Sequence, residues 1–413
     1  MFVWRQNPQC EGIHRNRLLF NAKAQSQRRV PLEVKRDGYN YVLDAGTAGG
    51  VDVGDEYTLY GDPQPSSRSR PLGTFVVREA RPSDSIIAPS SGTPRLELHK
   101  PAFALLTRAG SKQDLYVYVA GRRNLIRTFD AFVKMQDMRP ERPRILLVDK
   151  KNAELGLDLD GNNIVFDILD ERVTAFNLRR IPFLVPCDPA ILYPILNAAA
   201  HFHWHLRRTD ENHNLRNKVR LEFTKLEQVK GTYDRDLNPV IEPIGYNLNQ
   251  NGVVNLVGSE KDGYGIKILS DSNDPLYASL FYFNNNNLSI STHLPCAQRN
   301  ILTHSVFLAS IYQPPFAGHN KVDPPLPSNG SITVGYGSGG EVPRTFNLYK
   351  NQNVEVGFLK LFLSTEYVDL SDIEQLSPFT GTTRTFGRAE GPRTRRSKWD
   401  TILITVVVRK DRR

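Results

Sequence analysis

Between Tyr264 and Ser291 the chain reads YGIKILSDSNDPLYASLFYFNNNNLSIS. Tyr264, Ile266 and Ile268 alternate with Gly265, Lys267 and Leu269, the two-residue period of a strand. Ser270 to Pro275 is a run of turn formers. Leu276 to Phe283 is almost wholly apolar, the pattern of a strand covered on both faces. Asn284 to Asn287 supply the next turn, and Leu288 to Ser291 begin a third strand. The stretch reads as a three-strand meander at the centre of a β-sandwich, onto which the last third of the chain folds.

A length of 413 residues leaves room for two or three domains around that meander. Hydrophobic content of 39% and charged content of 23% suit a soluble globular chain. No apolar run approaches the roughly 18 residues of a membrane span, so no membrane partner is expected. The opening MFVWRQNPQC has neither a long apolar core nor a small-residue cleavage site, so no secretory signal is read. The cysteines, Cys10, Cys187 and Cys296, are few, odd in number and far apart. They fit a reducing compartment, and a cytoplasmic location is expected.

The net charge of +9 is concentrated. Arg384, Arg388, Arg393, Arg395, Arg396 and Lys398 are opposed only by Glu390 before Asp400, and Arg409, Lys410, Arg412 and Arg413 end the chain. A basic loop can touch phosphates. No aromatic residue follows Phe386 within it to stack on bases, so a solvated insertion outweighs a nucleic-acid site.

The fold class expected is mainly β, α+β overall. Residues 15–110 read as a small β-barrel of short strands with glycine corners, which removes exposed sheet edges. A hairpin turn is placed at Lys35 to Gly38. Gly46, Gly49, Gly50 and Gly54 in LDAGTAGGVDVGDEYTLY read as turn glycines, because no Lys-Ser or Lys-Thr and no helix follow them. Residues 111–210 read as a small α/β unit. It has strands at Leu115 to Val119, Arg144 to Val148 and Ile164 to Ile168, and a helix over Leu125 to Met135. A second helix runs from Asp188 as N-cap and Pro189 to Leu206, with Ile191, Ile195, Ala198, Phe202 and His205 or Leu206 on its inner face. Residues 216–413 read as an antiparallel β-sandwich with insertions near 292–310 and 380–398.

HFHWH is the most chemical-looking motif. On a helix His201 and His205 lie one turn apart and could share a zinc ion. Position 202 is Phe, where a metalloprotease places Glu, and only His213 stands near as a third ligand. Packing and capping roles outweigh metal binding. Asp158, Asp160 and Asn162 imitate a calcium loop, but the sixth position is Asn163 and the twelfth Leu169, so Asp160-Gly161 reads as a hairpin turn. Gly335 to Gly340 has no following Lys and reads as a loop. Cys187 and Cys296 stand in no nucleophile-like context. No catalytic residue, metal or cofactor is assigned.

Longer blocks carry a resemblance. Gln6 to Phe20, QNPQCEGIHRNRLLF, resembles the segment that closes the catalytic domain of fungal caspase-like, metacaspase-related proteins (peptidase C14). LDAGTAGGVDVGDEYTLY, PAFALLTRAG, RILLVDKKNAELGLDLDGNNIVFDILD, AAAHFHWHLRRT, NKVRLEFTKLE, YGIKILSDSNDPLYASLFYF, VGFLKLFLSTEYVDLS and WDTILI resemble, in order, the accessory region that follows that domain. The likeness runs from about Gln6 to the end, with residues 1–14 as the remnant of a caspase-like domain. The family's H-S-G-H-G-like and D-x-C-x-S-G-like motifs do not occur here, so no catalytic residue carries over. The resemblance implies a truncated product, a domain-only paralogue or a displaced gene start, with Met1 to Arg5 as its footprint. In the family the LSI strand runs almost directly into a YQPP segment. Here THLPCAQRNILTHSVFLAS intervenes, and it is read as translated intron or a lineage-specific loop.

The function expected is a non-catalytic regulatory or scaffolding region of a caspase-like cysteine protease, with a caspase-like domain or cell-death component as protein partner. The alternatives are a cysteine endopeptidase, by family inheritance, and a ligand-binding sandwich that presents Tyr277, Phe281 and Phe283.

Overall fold

The structure, a computed structural model, describes residues 31–65, 69–139, 142–233, 239–291, 326–337, 343–348, 352–368, 370–380 and 398–410. The block at Gln6 to Phe20, the insertion 292–310, Cys10, Cys296 and residues 381–397 lie outside the described residues.

The first unit is a closed barrel. Strands β1 (Leu32–Asp37), β2 (Asn40–Leu43), β3 (Glu56–Tyr60), β4 (Pro71–Ala80), β5 (Ser85–Pro89) and β6 (Ala102–Arg108) close in the order β1-β2-β5-β4-β3-β6. Alternate residues point inward, so Val34, Tyr41, Leu43, Tyr57, Leu59, Phe75, Val77, Ile87 and Ala104 fill the interior. The first turn is tighter than the sequence suggests. Asp37 pairs with Asn40 around the two-residue loop Gly38-Tyr39, and Gly38 takes φ +60°. Lys35 and Arg36, expected in the turn, belong to β1.

The second unit contains β7 (Leu115–Val119), α1 (Arg123–Asp137), β8 (Ile145–Leu147), β9 (Leu155–Asp160), β10 (Asn163–Ile168), the short α2 (Glu171–Thr174), β11 (Arg180–Pro186) and α3 (Pro189–Arg207). The sheet order is β11-β10-β9-β7-β8, with β7 parallel to both β8 and β9. Asp160 pairs with Asn163 and Gly161 takes φ +59°, which is the hairpin read from Asp160-Gly161. Strands β9 and β11 carry no clear sequence signal, because Asp158, Asp160, Pro182 and Pro186 interrupt their patterns.

The third unit is a sandwich of β12 (Val219–Tyr233), β13 (Pro239–Ile244), β14 (Asn249–Gln250), β15 (Val253–Val257), β16 (Ser259–Ser270), β17 (Tyr277–Asn284), β18 (Ser289–Ser291), β19 (Ser331–Val334), β20 (Arg344–Phe346), β21 (Val354–Ser364) and β22 (Trp399–Arg409). One sheet runs β13-β12-β16-β19, with β20 also on β16. The other runs β14-β15-β22-β21-β17-β18. Two expectations need correction. The opening stretch is not a meander within one sheet: β16 lies in the first sheet, while β17 and β18 lie in the second. Nor is the sandwich wholly antiparallel, since β15 pairs with β22 in parallel.

The reason for the first correction is the two-sided burial of β17. Ala278, Leu280 and Tyr282 face the core between the sheets, and Phe281 and Phe283 face the helical unit. Phe202 of α3 meets Phe283 edge to face at 5.3 Å. The helix is itself covered on two sides, so its buried set is wider than a single stripe: Leu192, Ile195, Leu196, Ala199, Ala200, Phe202, His203, His205 and Leu206. Ile191, expected inside, is 41% exposed. The N-cap reading holds, with Asp188 Oδ1 accepting the Ala190 N–H at 2.8 Å. Among the described residues no helix is long and apolar enough to cross a membrane.

Candidate functional site

All three units meet at the C-terminal end of α3. Strand β21 is apolar on both faces apart from Glu355 near its start, Ser364 at its end and Lys360, which alternation aims at the helix beside Phe358 and Phe362. Lys360 is 2% exposed. Its Nζ donates to the carbonyls of His205 (2.9 Å), Leu206 (2.8 Å) and Arg208. These are the carbonyls that a helix end leaves without intrahelical partners, and a cation there also faces the negative end of the helix dipole. Three acceptors match the three protons of an ammonium ion. Burial, then the nearby Arg208 and Arg172, push the Lys360 pKa well below the usual lysine range.

Arg208 follows the helix and faces the barrel. Its guanidinium donates to the carbonyls of Thr47 (3.0 Å) and Ala48 (2.7 Å) and to His205 Nδ1 (2.9 Å). It lies over Trp204, Phe362 and Trp399, with 5.2, 5.6 and 5.7 Å to the ring centroids. Trp399 Nε1 donates to Thr47 Oγ1 at 2.8 Å. Gly50 takes φ +85°, and a Cβ there would stand 2.9 Å from the Trp204 ring. The glycine-rich segment therefore lets the barrel backbone approach the junction. The next residue, Asp400, accepts the backbone N–H groups of Leu215 and Arg216 and fixes the entry to β12.

The segment 370–380 ties the sandwich to α3. Gln375 Nε2 donates to the Ala198 and Leu288 carbonyls at 3.1 and 2.6 Å. Phe379 stacks on Phe183, with centroids 4.7 Å apart, and meets Phe166 edge on. The space between Ala48, Tyr277, Phe362, Ser364 and Trp399 is narrow, with room for about one water molecule.

His201 and His205 do come together, with ring centroids 4.3 Å apart. His201 Nε2 faces the Ile373 carbonyl at 3.1 Å, so it carries a proton. His205 Nδ1 accepts from Arg208, which leaves the proton on Nε2, and Nε2 is buried without a hydrogen-bond partner among the described residues. Burial lowers the pKa of both rings, and Arg208 and Lys360 push His205 further down. A metal ion here would meet two N–H groups and two side-chain cations. No group of three His, Cys, Asp or Glu side chains that could hold a metal exists among the described residues. His213, weighed as a third ligand, stands beside Asp400, Nδ1 to Oδ1 3.8 Å. His203 faces Glu154 at 3.9 Å.

Cys187 has Thr128 Oγ1 at 3.2 Å and the Asn124 carbonyl at 3.9 Å as polar contacts, neither of them an imidazole. Phe281 and Phe283, considered as a ligand-presenting pair with Tyr277, are fully buried. They cannot form an exposed aromatic face, because α3 covers them.

Two further acids are buried. Asp55 accepts the N–H groups of Asp52 (2.9 Å) and Gly110 (2.7 Å). Glu355 accepts from Asn284 Nδ2 (3.0 Å) and the Tyr282 hydroxyl (3.3 Å) between the two sheets. Burial pushes each up to about 7, against the opposing pull of those donors. Sequence reasoning passed over Lys360, Arg208, Asp55 and Glu355. The one local signal was a lysine within the otherwise apolar VGFLKLFL.

Comparisons with protein-family models, curated proteins and solved structures return no match for this chain.

Proposed function

We propose that this chain is a non-catalytic regulatory or scaffolding region that acts beside a caspase-like cysteine protease, in the cytoplasm, through a protein partner. The reading of partner and compartment rests on the resemblance of the sequence blocks. The scaffolding half is supported by the junction at the end of α3. There the fully buried Lys360 and the half-buried Arg208 are spent on backbone carbonyls that join barrel, helix and sandwich. Side chains committed in this way hold units at a fixed spacing and leave no free nucleophile or base at that point.

The decisive experiment adds the purified chain to a caspase-like protease in trans and, separately, captures it with tagged caspase-like and cell-death components. A saturable complex, or a changed rate of peptide cleavage, is the expected result. Absence of both overturns the reading. Incubation of the chain alone with Arg-, Lys- and Asp-directed peptide substrates, with and without calcium, is expected to give no cleavage. Turnover that is lost on Cys187→Ser would instead establish an endopeptidase.

A further inference from the structure

The Arg208 guanidinium divides its donors between two units. Nη2 donates to the Thr47 and Ala48 carbonyls of the barrel loop, at 3.0 and 2.7 Å, and Nη1 donates to His205 Nδ1 at 2.9 Å. The His205 ring thus helps to aim the guanidinium at the barrel, and it does so only as a neutral imidazole. Its Nε2 already carries the proton, so a second proton can enter only at Nδ1. The lone pair there is the one that Arg208 uses. Once protonated, it becomes a donor that faces a donor.

The surroundings make a charged ring harder still to hold. His205 is 1% exposed, and its Nε2–H has no acceptor among the described residues. Helix α3 brings Arg208 and the His201 ring, whose centroid is 4.3 Å away. Strand β21 brings Lys360, bound to the His205 carbonyl at 2.9 Å. The segment 370–380 brings Asp372, which stands near enough to His201 to favour a charge on that ring. Strand β22 brings Asp400, which is engaged by the Leu215 and Arg216 N–H groups and by His213. The barrel loop over 47–49 brings no titratable side chain. Burial, then His201, Arg208 and Lys360, push the His205 pKa down, so the ring is neutral near neutral pH. His201 differs. Its Nε2–H keeps the Ile373 carbonyl whether or not Nδ1 is protonated.

We propose that the contact between Arg208 and His205 is an acid-operated latch: a proton taken up at His205 Nδ1 expels the Arg208 guanidinium from the Thr47 and Ala48 carbonyls and frees the barrel loop from the end of α3. The proton comes from solvent, and the N–H it forms is the only new covalent bond. Arg208 is half-buried, so its charged head can turn to water. The released ring titrates at the ordinary imidazole value of 6.5. Each pH unit below that value then shifts the balance about tenfold toward the released form. The latch rests on the scaffolding reading of this junction, but its test uses the chain alone. The failure of the latch and the failure to find a protease partner are therefore separate results.

The test is hydrogen exchange read by mass spectrometry on the full chain, between about pH 7.5 and about pH 4.5, corrected for the intrinsic rate at each pH. Protection over 44–51 in the barrel and over 204–210 at the end of α3 is expected to fall about tenfold for each pH unit below 6.5, while β21 keeps its protection. His205→Asn offers Arg208 an amide oxygen in place of Nδ1 and does not titrate, so its protection is expected to stay level over the same range. Arg208→Gln is expected to show low protection in both segments already at the upper end of the range. Level protection in the natural chain, a loss that spreads equally to β21, the same loss in His205→Asn, or full protection in Arg208→Gln would each overturn the proposal. The first two outcomes are read on the unaltered chain, so they decide the matter even if a variant misfolds.

Discussion

Lys360 and Glu355 show how much rests on single buried charges. Replacing Lys360 by Met keeps the apolar stem and strips the donors from the end of α3. The His205, Leu206 and Arg208 carbonyls would then be left buried without partners. A loss of about 3 kcal/mol is expected, read as a lower denaturation midpoint. An unchanged midpoint would mean that the cap carries no stability. Glu355 makes a prediction with a sign. Its folded pKa is raised from 4.5 to about 7, so folding favours the neutral acid. The associated stability is complete below the unfolded value and is lost as pH rises through about 7. Glu355→Gln keeps the acceptor for Tyr282 and Asn284 and removes the titration. The variant is therefore expected to gain on the natural chain by up to about 3 kcal/mol between about pH 4 and pH 8. Equal pH profiles for the two proteins would refute this. The buried histidines act in the opposite direction. Their pKa values are lowered, so their contribution is present above about 6.5 and is lost as pH falls. Comparing variant with parent at each pH separates the two effects.

At the scale of elements, β17 and β21 are the strands on which the third unit depends. Each is covered on both faces, and they pair from Tyr277 with Ser364 to Asn284 with Gly357. Gly357 is required by close approach: a Cβ there would stand 2.1 Å from the Tyr282 hydroxyl oxygen. Gly357→Ala is therefore expected to cost about 2 kcal/mol or more, because Tyr282 must leave its place against Glu355. The Cβ would also stand 2.2 and 2.5 Å from Tyr282 ring carbons, so Gly357→Ala combined with Tyr282→Ala should cost less than the two single changes summed, and a thermal melt that shows simple additivity would place the strain elsewhere. Much of this level was legible in advance. The bounds of β7 agree with the strand marked at Leu115 to Val119, and α3 follows its Asp-Pro start. Strand β9 was not legible, because Asp158 and Asp160 read as a turn or a metal loop until β10 pairs with them.

For the whole molecule, the question is how three units share one junction. The Trp399 indole joins the second sheet of the sandwich to the barrel through Thr47, and Arg208 joins α3 to the same loop. Trp399→Phe keeps most of the apolar surface and removes the hydrogen bond. A loss of about 1 kcal/mol is expected, together with faster cleavage of the barrel from the rest in limited proteolysis. If Thr47→Ala added to Trp399→Phe costs as much again, the two residues do not act as a pair and the link is wrongly assigned. The candidate site was the least legible part of the chain. His201 and His205 drew attention as a pair, and they are indeed adjacent, but Arg208 and Lys360 beside them reverse the chemistry that the spacing suggested. Lys360 and the carbonyl of His205 are 155 positions apart, and no local pattern marks such a contact.

By itself the sequence determined the strands with a clean alternation or apolar run, such as β7, that glycine corners close a small barrel, and that α3 is capped by Asp188. Alternation, turn chemistry and capping act over a few residues, so they can be read from a few residues. Only the tertiary structure decided that β16 and β17 part into different sheets, that β22 pairs in parallel with β15, and that Lys360 caps α3. Those outcomes depend on which apolar faces cover one another, and on which buried polar groups must then find partners across the core.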